Sequence, residues 1–188
     1  MNRLIWFFGS SASGKETLIK YIYNGKDEKL NSNLNIDLKK TIILDKSIEY
    51  ISKNKTDNIT EKRIEMIDDI ILLCSQKNDI IILIKGQNSD IRGNFIKTIK
   101  EKLNDISIDI IYVTADTEVL LERVKKKDWY DTTRGDIEYL ESIKRSLKYM
   151  DLFKEYNITY IKSNPNNEYI ILPQSNMSMA KLDTIKHL

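Results

Sequence analysis

The sequence predicts a three-layer α/β domain: a five-stranded parallel sheet with helices on both faces and a short lid. Three observations carry that expectation. Short apolar runs alternate with helical periods along the chain, a small-residue loop joins the first run to the first helix, and the 188 residues include only 6 Gly and 2 Pro. Strands alternating with helices make parallel strands whose crossovers cover the sheet, with right-handed connections. So little Gly and Pro, roughly a third of the usual share of about 12%, excludes collagen-like and linker-rich chains.

The elements follow in order. Arg3 to Phe8 is a run of bulky residues that fits a strand buried on both faces, expected at the centre of the sheet. After the loop from Gly9, the residues Leu18, Ile19, Tyr21 and Ile22 are spaced for a helix. The polar stretch Asn24 to Lys39 yields no assignment. Lys40 to Leu44, ending at Asp45, reads as the second strand, and Ile59 to Cys74 as a helix with Ile64, Ile67, Ile70 and Ile71 on its apolar positions. Ile80 to Ile84 makes the third strand, and Ile91, Phe95, Ile96, Ile99 and Leu103 mark a helix. Ile108 to Val113 is the fourth strand, Val119 to Val124 the core of a helix, Ile137 to Tyr156 a long helix, and Ile158 to Ile161 the fifth strand. Beyond Pro165, Tyr169 to Leu172 could form an edge strand and Met177 to Leu188 a closing helix. The length fits one domain over 1–188, with a lid over about 126–135 and a C-terminal extension over 163–188.

Composition narrows the chemistry. Hydrophobic residues at 41% supply a core, and charged residues at 31% with a net charge of +2 give a mixed surface. The single His187 and single Cys74 exclude histidine triads, zinc sites and disulfide frameworks. Lys and Arg are scattered and nearly balanced by acids, so no nucleic-acid stripe is indicated. Leu4 to Phe8 is too short for a signal segment, and no run approaches the ~18 apolar residues of a membrane span. A cytoplasmic protein acting on a small molecule is expected; its oligomeric state is not legible.

Gly9-Ser10-Ser11-Ala12-Ser13-Gly14-Lys15-Glu16-Thr17 is the most informative stretch. Between a strand and a helix, G-x-x-x-x-G-K lets backbone N–H groups surround phosphate oxygens, while the helix presents its positive end and Lys15 reaches the terminal phosphates. The common pattern places Ser or Thr directly after the lysine to ligate magnesium. Here that position is Glu16, and the hydroxyl comes one residue later at Thr17.

This loop resembles that of the nucleoside monophosphate kinases, such as adenylate kinase, which read G-x-x-x-x-G-K-x-T. The resemblance implies a P-loop NTPase fold, ATP and Mg2+, and it runs from Arg3 to Lys162. In that family a helix with L-x-x-R precedes the lid, its arginine against the base of the phosphate donor; Leu120-Leu121-Glu122-Arg123 takes that place. After the lid come two arginines that grip the transferring phosphoryl group, matched by Arg134 in Arg134-Gly135-Asp136 and by Arg145 in Arg145-Ser146-Leu147-Lys148-Tyr149. Trp129 and Tyr130 in the lid could stack on a base or pack a hinge.

The chain departs from the family after the third strand, where Lys85-Gly86-Gln87 stands in place of a magnesium-holding aspartate. Thr17 with phosphates and water is then expected to hold the metal, with Asp45 contributing from the end of the second strand. The carboxyl ends of parallel strands form the binding crevice, which makes Asp45, Lys85 and Gln87 candidates alongside the loop. Arg63 and Arg92 are candidates for an acceptor's phosphate. Two acceptor classes stay open: a nucleotide, which needs no base, or a nucleoside or other small alcohol, for which Asp45 could be one. A non-catalytic nucleotide-binding or switch protein is the reading from another class. Asn54-Lys55-Thr56-Asp57 matches a guanine signature but lies upstream of where that signature belongs.

Overall fold

The computed structural model describes residues 1–44, 59–86, 94–127, 130, 135–166 and 168–173. In chain order these contain β1 (Arg3–Phe8), α1 (Lys15–Tyr23), α2 (Glu28–Asn33), β2 (Thr41–Leu44), α3 (Ile59–Gln76), β3 (Ile81–Lys85) and α4 (Phe95–Lys102). There follow β4 (Ser107–Thr114), α5 (Thr117–Lys125), α6 (Gly135–Tyr149), β5 (Asn157–Ser163) and β6 (Tyr169–Leu172), with 3-10 turns at Leu38–Lys40 and Met150–Phe153. The expected closing helix over Met177 to Leu188 and the tetrapeptide from Asn54 lie outside the described residues, as does most of the lid. Among the described residues no helix is long and apolar enough to cross a membrane.

The strands are hydrogen-bonded in the order β2-β3-β1-β4-β5-β6. β1 and β2 both run parallel to β3, with Ile5 and Ile43 opposite Leu83. The sheet is mixed rather than wholly parallel, and it has six strands rather than five. β6 pairs antiparallel with β5, Ile161 opposite Ile171. The cause is local: the Asn164 N–H donates to the Glu168 carbonyl at 2.9 Å, closing a reversal far too short for the crossover a parallel partner needs.

Contacts divide the chain into two compact units. The first holds Met1–Phe7 and Ile19–Asp109. Leu4 to Phe7 and Ile82 to Ile84 are fully buried at every position, as strands covered on both faces must be. α3 packs against α4. The polar stretch left unassigned contains α2, which is held by a local cap and by bonds to other elements. The Asp27 carboxylate accepts the Leu30 N–H at 2.9 Å as an N-cap, and the Asn31 amide donates to the Ile22 carbonyl at 3.1 Å. Arg3 donates to the carbonyls of Leu34 and Asn35 at 2.9 and 2.8 Å while pairing with Asp109, so one guanidinium ties the end of α2 to the starts of β1 and β4.

The second unit holds Phe8–Leu18 and Ile110–Leu188. The rings of Phe8 and Tyr160 lie tilted against Tyr112 at 6.1 and 5.6 Å. The Tyr112 hydroxyl meets the Ser146 hydroxyl at 2.9 Å, which in turn donates to the Ile143 carbonyl, so α6 is anchored on β4 through a satisfied buried pair. α6 is shorter than its apolar period suggests. It ends at Tyr149 and tightens into the turn Met150–Phe153, whose two buried residues, Met150 and Phe153, sit three apart on one face before β5 begins.

At the end of β3 the Gly86 N–H donates to the Phe7 carbonyl at 2.7 Å, and a Cβ there would lie 2.2 Å from the Trp6 indole nitrogen. Trp6 is fully buried and cannot give way cheaply. Gly86→Ala is expected to lower stability by about 1–3 kcal/mol or more, read from the denaturant midpoint.

Candidate active site

β1 delivers the chain into the loop at Gly9, whose φ is +144° and whose Cβ, if it had one, would sit 2.1 Å from the Val113 carbonyl oxygen of β4. Only glycine fits both the dihedral and the space. The loop then passes through Ala12 at φ +60° and Gly14 at φ +91° before α1 begins at Lys15. Ala12 is a non-glycine residue in the left-handed region, a conformation that costs about 1–2 kcal/mol. The Leu18 N–H bonds to the Gly14 carbonyl at 2.8 Å, which sets the first turn of the helix. The N–H groups ahead of it have no intrahelical acceptor and carry the positive end of the helix dipole.

Lys15 is buried, 8% exposed, and its ammonium donates to the carbonyls of Gly9 at 2.8 Å and Ser10 at 2.6 Å, with the Ser13 hydroxyl at 3.4 Å. Arg123 from α5 stands near Gly14, 3.7 Å from where a Cβ on that residue would lie. One terminal nitrogen donates to the Ser163 hydroxyl and the other to the Asn164 carbonyl, both at 2.7 Å. The Ser163 hydroxyl donates onward to the Ser13 carbonyl at 3.1 Å. From α6, the Tyr139 hydroxyl donates to the Ser11 carbonyl. Burial pushes the Tyr139 phenol well up, against smaller opposing effects of the Ser10 hydroxyl and the Arg123 charge.

The structure thus gathers Gly9, Ser10, Ser11, Ala12, Ser13, Gly14, Lys15 and Arg123 in one place. Glu16 is half-exposed and Thr17 exposed in the first turn of α1. Magnesium commonly takes one or two protein ligands and completes its shell with phosphate and water, and Thr17 offers a hydroxyl of that kind. Among the described residues no group of three or more His, Cys, Asp or Glu could hold a metal ion. Lys85 closes β3 opposite Phe7 and is half-buried, and Arg63 is half-buried on α3, both in the first unit. Arg145 is exposed, about 200° around α6 from the buried Ile143, on the face away from the residues that anchor the helix. Asp45, Gln87, Arg92, Trp129 and Arg134 lie outside the described residues.

Tyr139 and Ser163 did not emerge from the motifs. Tyr139 shares the buried face of α6 with Ile143, Ser146 and Leu147, a spacing visible in the sequence, but nothing there shows that its hydroxyl meets the loop. Ser163 ends β5, and the carboxyl end of a sheet strand is the one available signal.

No protein-family model matches the sequence, and no curated protein matches it significantly. Solved structures do resemble it. The PezAT chromosomal toxin-antitoxin system of the human pathogen Streptococcus pneumoniae is similar over 100% of this chain and 87% of that one, at 9% identity and a TM-score of 0.54. The complex AvrRxo1-ORF1:-ORF2 with ATP is similar over 98% of this chain at 11% identity and a TM-score of 0.52. This chain spans 64% of the length of that one. A gluconokinase from Sinorhizobium meliloti 1021 is a looser likeness, with 12% identity, 97% of this chain and 91% of that one covered, and a TM-score of 0.45. At these identities the likeness is one of α/β fold alone.

Tyr139 and the fully buried Tyr112 both have phenols pushed up by burial from a usual value of 10.0. Between that pH and the folded values the unfolded chain gives up protons that the folded chain keeps, so stability is complete below about pH 10 and falls as pH rises above it. The fall amounts to about 1.4 kcal/mol per pH unit for each such group. Denaturant unfolding at a series of pH values above 10 is expected to show a shallower decline in Tyr139→Phe and in Tyr112→Phe than in the unmodified chain.

Proposed function

We propose that the chain is an ATP-dependent phosphotransferase acting on a small-molecule acceptor. The observation that carries the reading is the buried Lys15 ammonium gathered by the Gly9 and Ser10 carbonyls at the positive end of α1. The fold likeness to a structure solved with ATP supports the choice of nucleotide. Phosphoryl transfer asks mainly for alignment and for positive charge around the equatorial oxygens, which a chain with a single histidine can supply. The loop N–H groups bind the phosphates, Lys15 moves its charge onto the terminal oxygens, and Arg123 adds charge beside Gly14. Mg2+, held by Thr17, phosphate oxygens and water, would neutralise charge on the transferring group.

For the acceptor, the spacing of Arg134 and Arg145 supports a nucleotide, with the transferring group gripped between them. One observation favours the second reading, a nucleoside or other small alcohol. Arg145 is exposed on the far side of α6 from the face that carries Tyr139, the residue of this helix bonded to the loop. Under that reading Asp45 accepts the proton of the attacking hydroxyl.

Incubation with ATP and Mg2+ over nucleoside monophosphates, nucleosides and sugar acids, with mass detection of products, tests the proposal. One acceptor class is expected to be phosphorylated. ATP binding without turnover of any acceptor would favour a binding or switch protein. Lys15→Ala is expected to lower kcat by about 10²- to 10³-fold, the loss typical when one preorganised donor is removed, while circular dichroism stays unchanged.

Asp45→Asn separates the acceptor classes. A loss of about 10²- to 10⁴-fold in kcat is the expected effect with an alcohol acceptor, since a general base contributes on that scale. With a nucleotide acceptor the loss is expected to be a few-fold.

A further inference from the structure

The described parts of the loop are held from outside by two hydroxyl groups that no phosphate-binding motif contains. Tyr139 of α6 donates to the Ser11 carbonyl, and Ser163 at the end of β5 donates to the Ser13 carbonyl at 3.1 Å. These are alternate peptides of the same loop, with Ala12 between them at φ +60°. In a planar trans peptide the carbonyl of one residue and the N–H of the next point in opposite directions. Fixing the Ser11 carbonyl on Tyr139 therefore turns the Ala12 N–H away from Tyr139, and fixing the Ser13 carbonyl on Ser163 turns the Gly14 N–H away from Ser163. A residue held in the left-handed region next to right-handed neighbours is how successive N–H groups are made to converge on an anion. Such a conformation persists in a non-glycine residue only where its surroundings over-determine it, and here a bond on each side of Ala12 does so.

We infer that Tyr139 and Ser163 are positioning residues that clasp the phosphate loop by its outward carbonyls and so present the Ala12 and Gly14 N–H groups to phosphate oxygens. This rests on reading the loop as a phosphate cradle. Neither side chain touches the phosphates. Both are buried, Tyr139 at 7% and Ser163 at 1% exposed, so each clasp is shielded from competing water. Arg123 strengthens the second one, because a hydroxyl that accepts from a guanidinium is polarised towards donating onward to Ser13. The arrangement links the loop to α6, the helix that follows the lid, and to β5.

The test is ATP affinity, measured by calorimetry on the full chain, with each variant's thermal midpoint recorded alongside. Tyr139→Phe removes one oxygen and Ser163→Ala one hydroxyl. Each is expected to weaken ATP binding roughly 3- to 10-fold, the scale of one hydrogen bond, and to weaken displacement by inorganic tripolyphosphate to the same extent. Ser163→Thr keeps the hydroxyl and is expected to restore affinity. Variants with lowered midpoints that bind ATP as the unmodified chain does would overturn the inference, leaving both side chains as packing only. Should Tyr139→Phe fail to fold, the pair Ser163→Ala and Ser163→Thr decides. If the unmodified chain binds neither ATP nor tripolyphosphate, the phosphate-cradle reading itself falls, an outcome distinct from the first.

Discussion

The approach of the Gly9 backbone to the Val113 carbonyl is the constraint on which the site depends. With no room for a side chain and a dihedral that L residues rarely adopt, the chain leaving β1 must turn at this glycine. The turn brings the Gly9 and Ser10 carbonyls around the Lys15 ammonium, which lies only six residues further on. It also places Gly14 within reach of β5 and α5, where a Cβ on that residue would lie 3.5 Å from the Ser163 hydroxyl and 3.7 Å from Arg123. A bulkier residue at position 9 would displace the loop from β4, and the bonds from Tyr139 and Ser163 to its carbonyls would lose their geometry together.

The charge at this site follows from what its cations are bonded to. Arg123 spends both terminal nitrogens on a hydroxyl and a carbonyl. Neutral acceptors orient a cation without cancelling its charge. By contrast, Lys125 and Tyr130 are bonded to the Asp136 carboxylate at the start of α6, and Lys162 is paired with Asp116 at 2.7 Å, so those basic groups are compensated locally.

How much of this was legible depends on the range of the interactions involved. β1, with five successive bulky residues before a glycine, is read at its true bounds and β3 within one residue, because a strand buried on both faces needs only an apolar run; β4 and β5, buried in part, are read within a few residues. α2 was missed because six residues give no period; its Asp27 cap and the Asn31 bond to Ile22 are close in sequence, and Arg3 holds its far end through bonds from some thirty residues away. The Tyr169 to Leu172 run was legible as an edge strand, but its direction is set by the Asn164 to Glu168 bond, a backbone contact without a residue signature. In the site, the G-x-x-x-x-G-K pattern works as a local signal since loop and helix are contiguous. The bonds of Arg123 to Ser163 and Asn164, some 40 residues away, have no counterpart in any local pattern.

The position after β3 shows how a sequence departure becomes a structural requirement. Many phosphate-loop enzymes carry an aspartate here, and this chain has Gly86 following Lys85. The indole of Trp6, fully buried on β1, fills the space where any side chain at position 86 would begin. A carboxylate at that point would have to displace a tryptophan and then be buried against it without a partner, two large costs at once. Trp6 on β1 and glycine at the end of β3 are therefore one packing choice. At position 86 itself the packing against Trp6 leaves no room for a side chain.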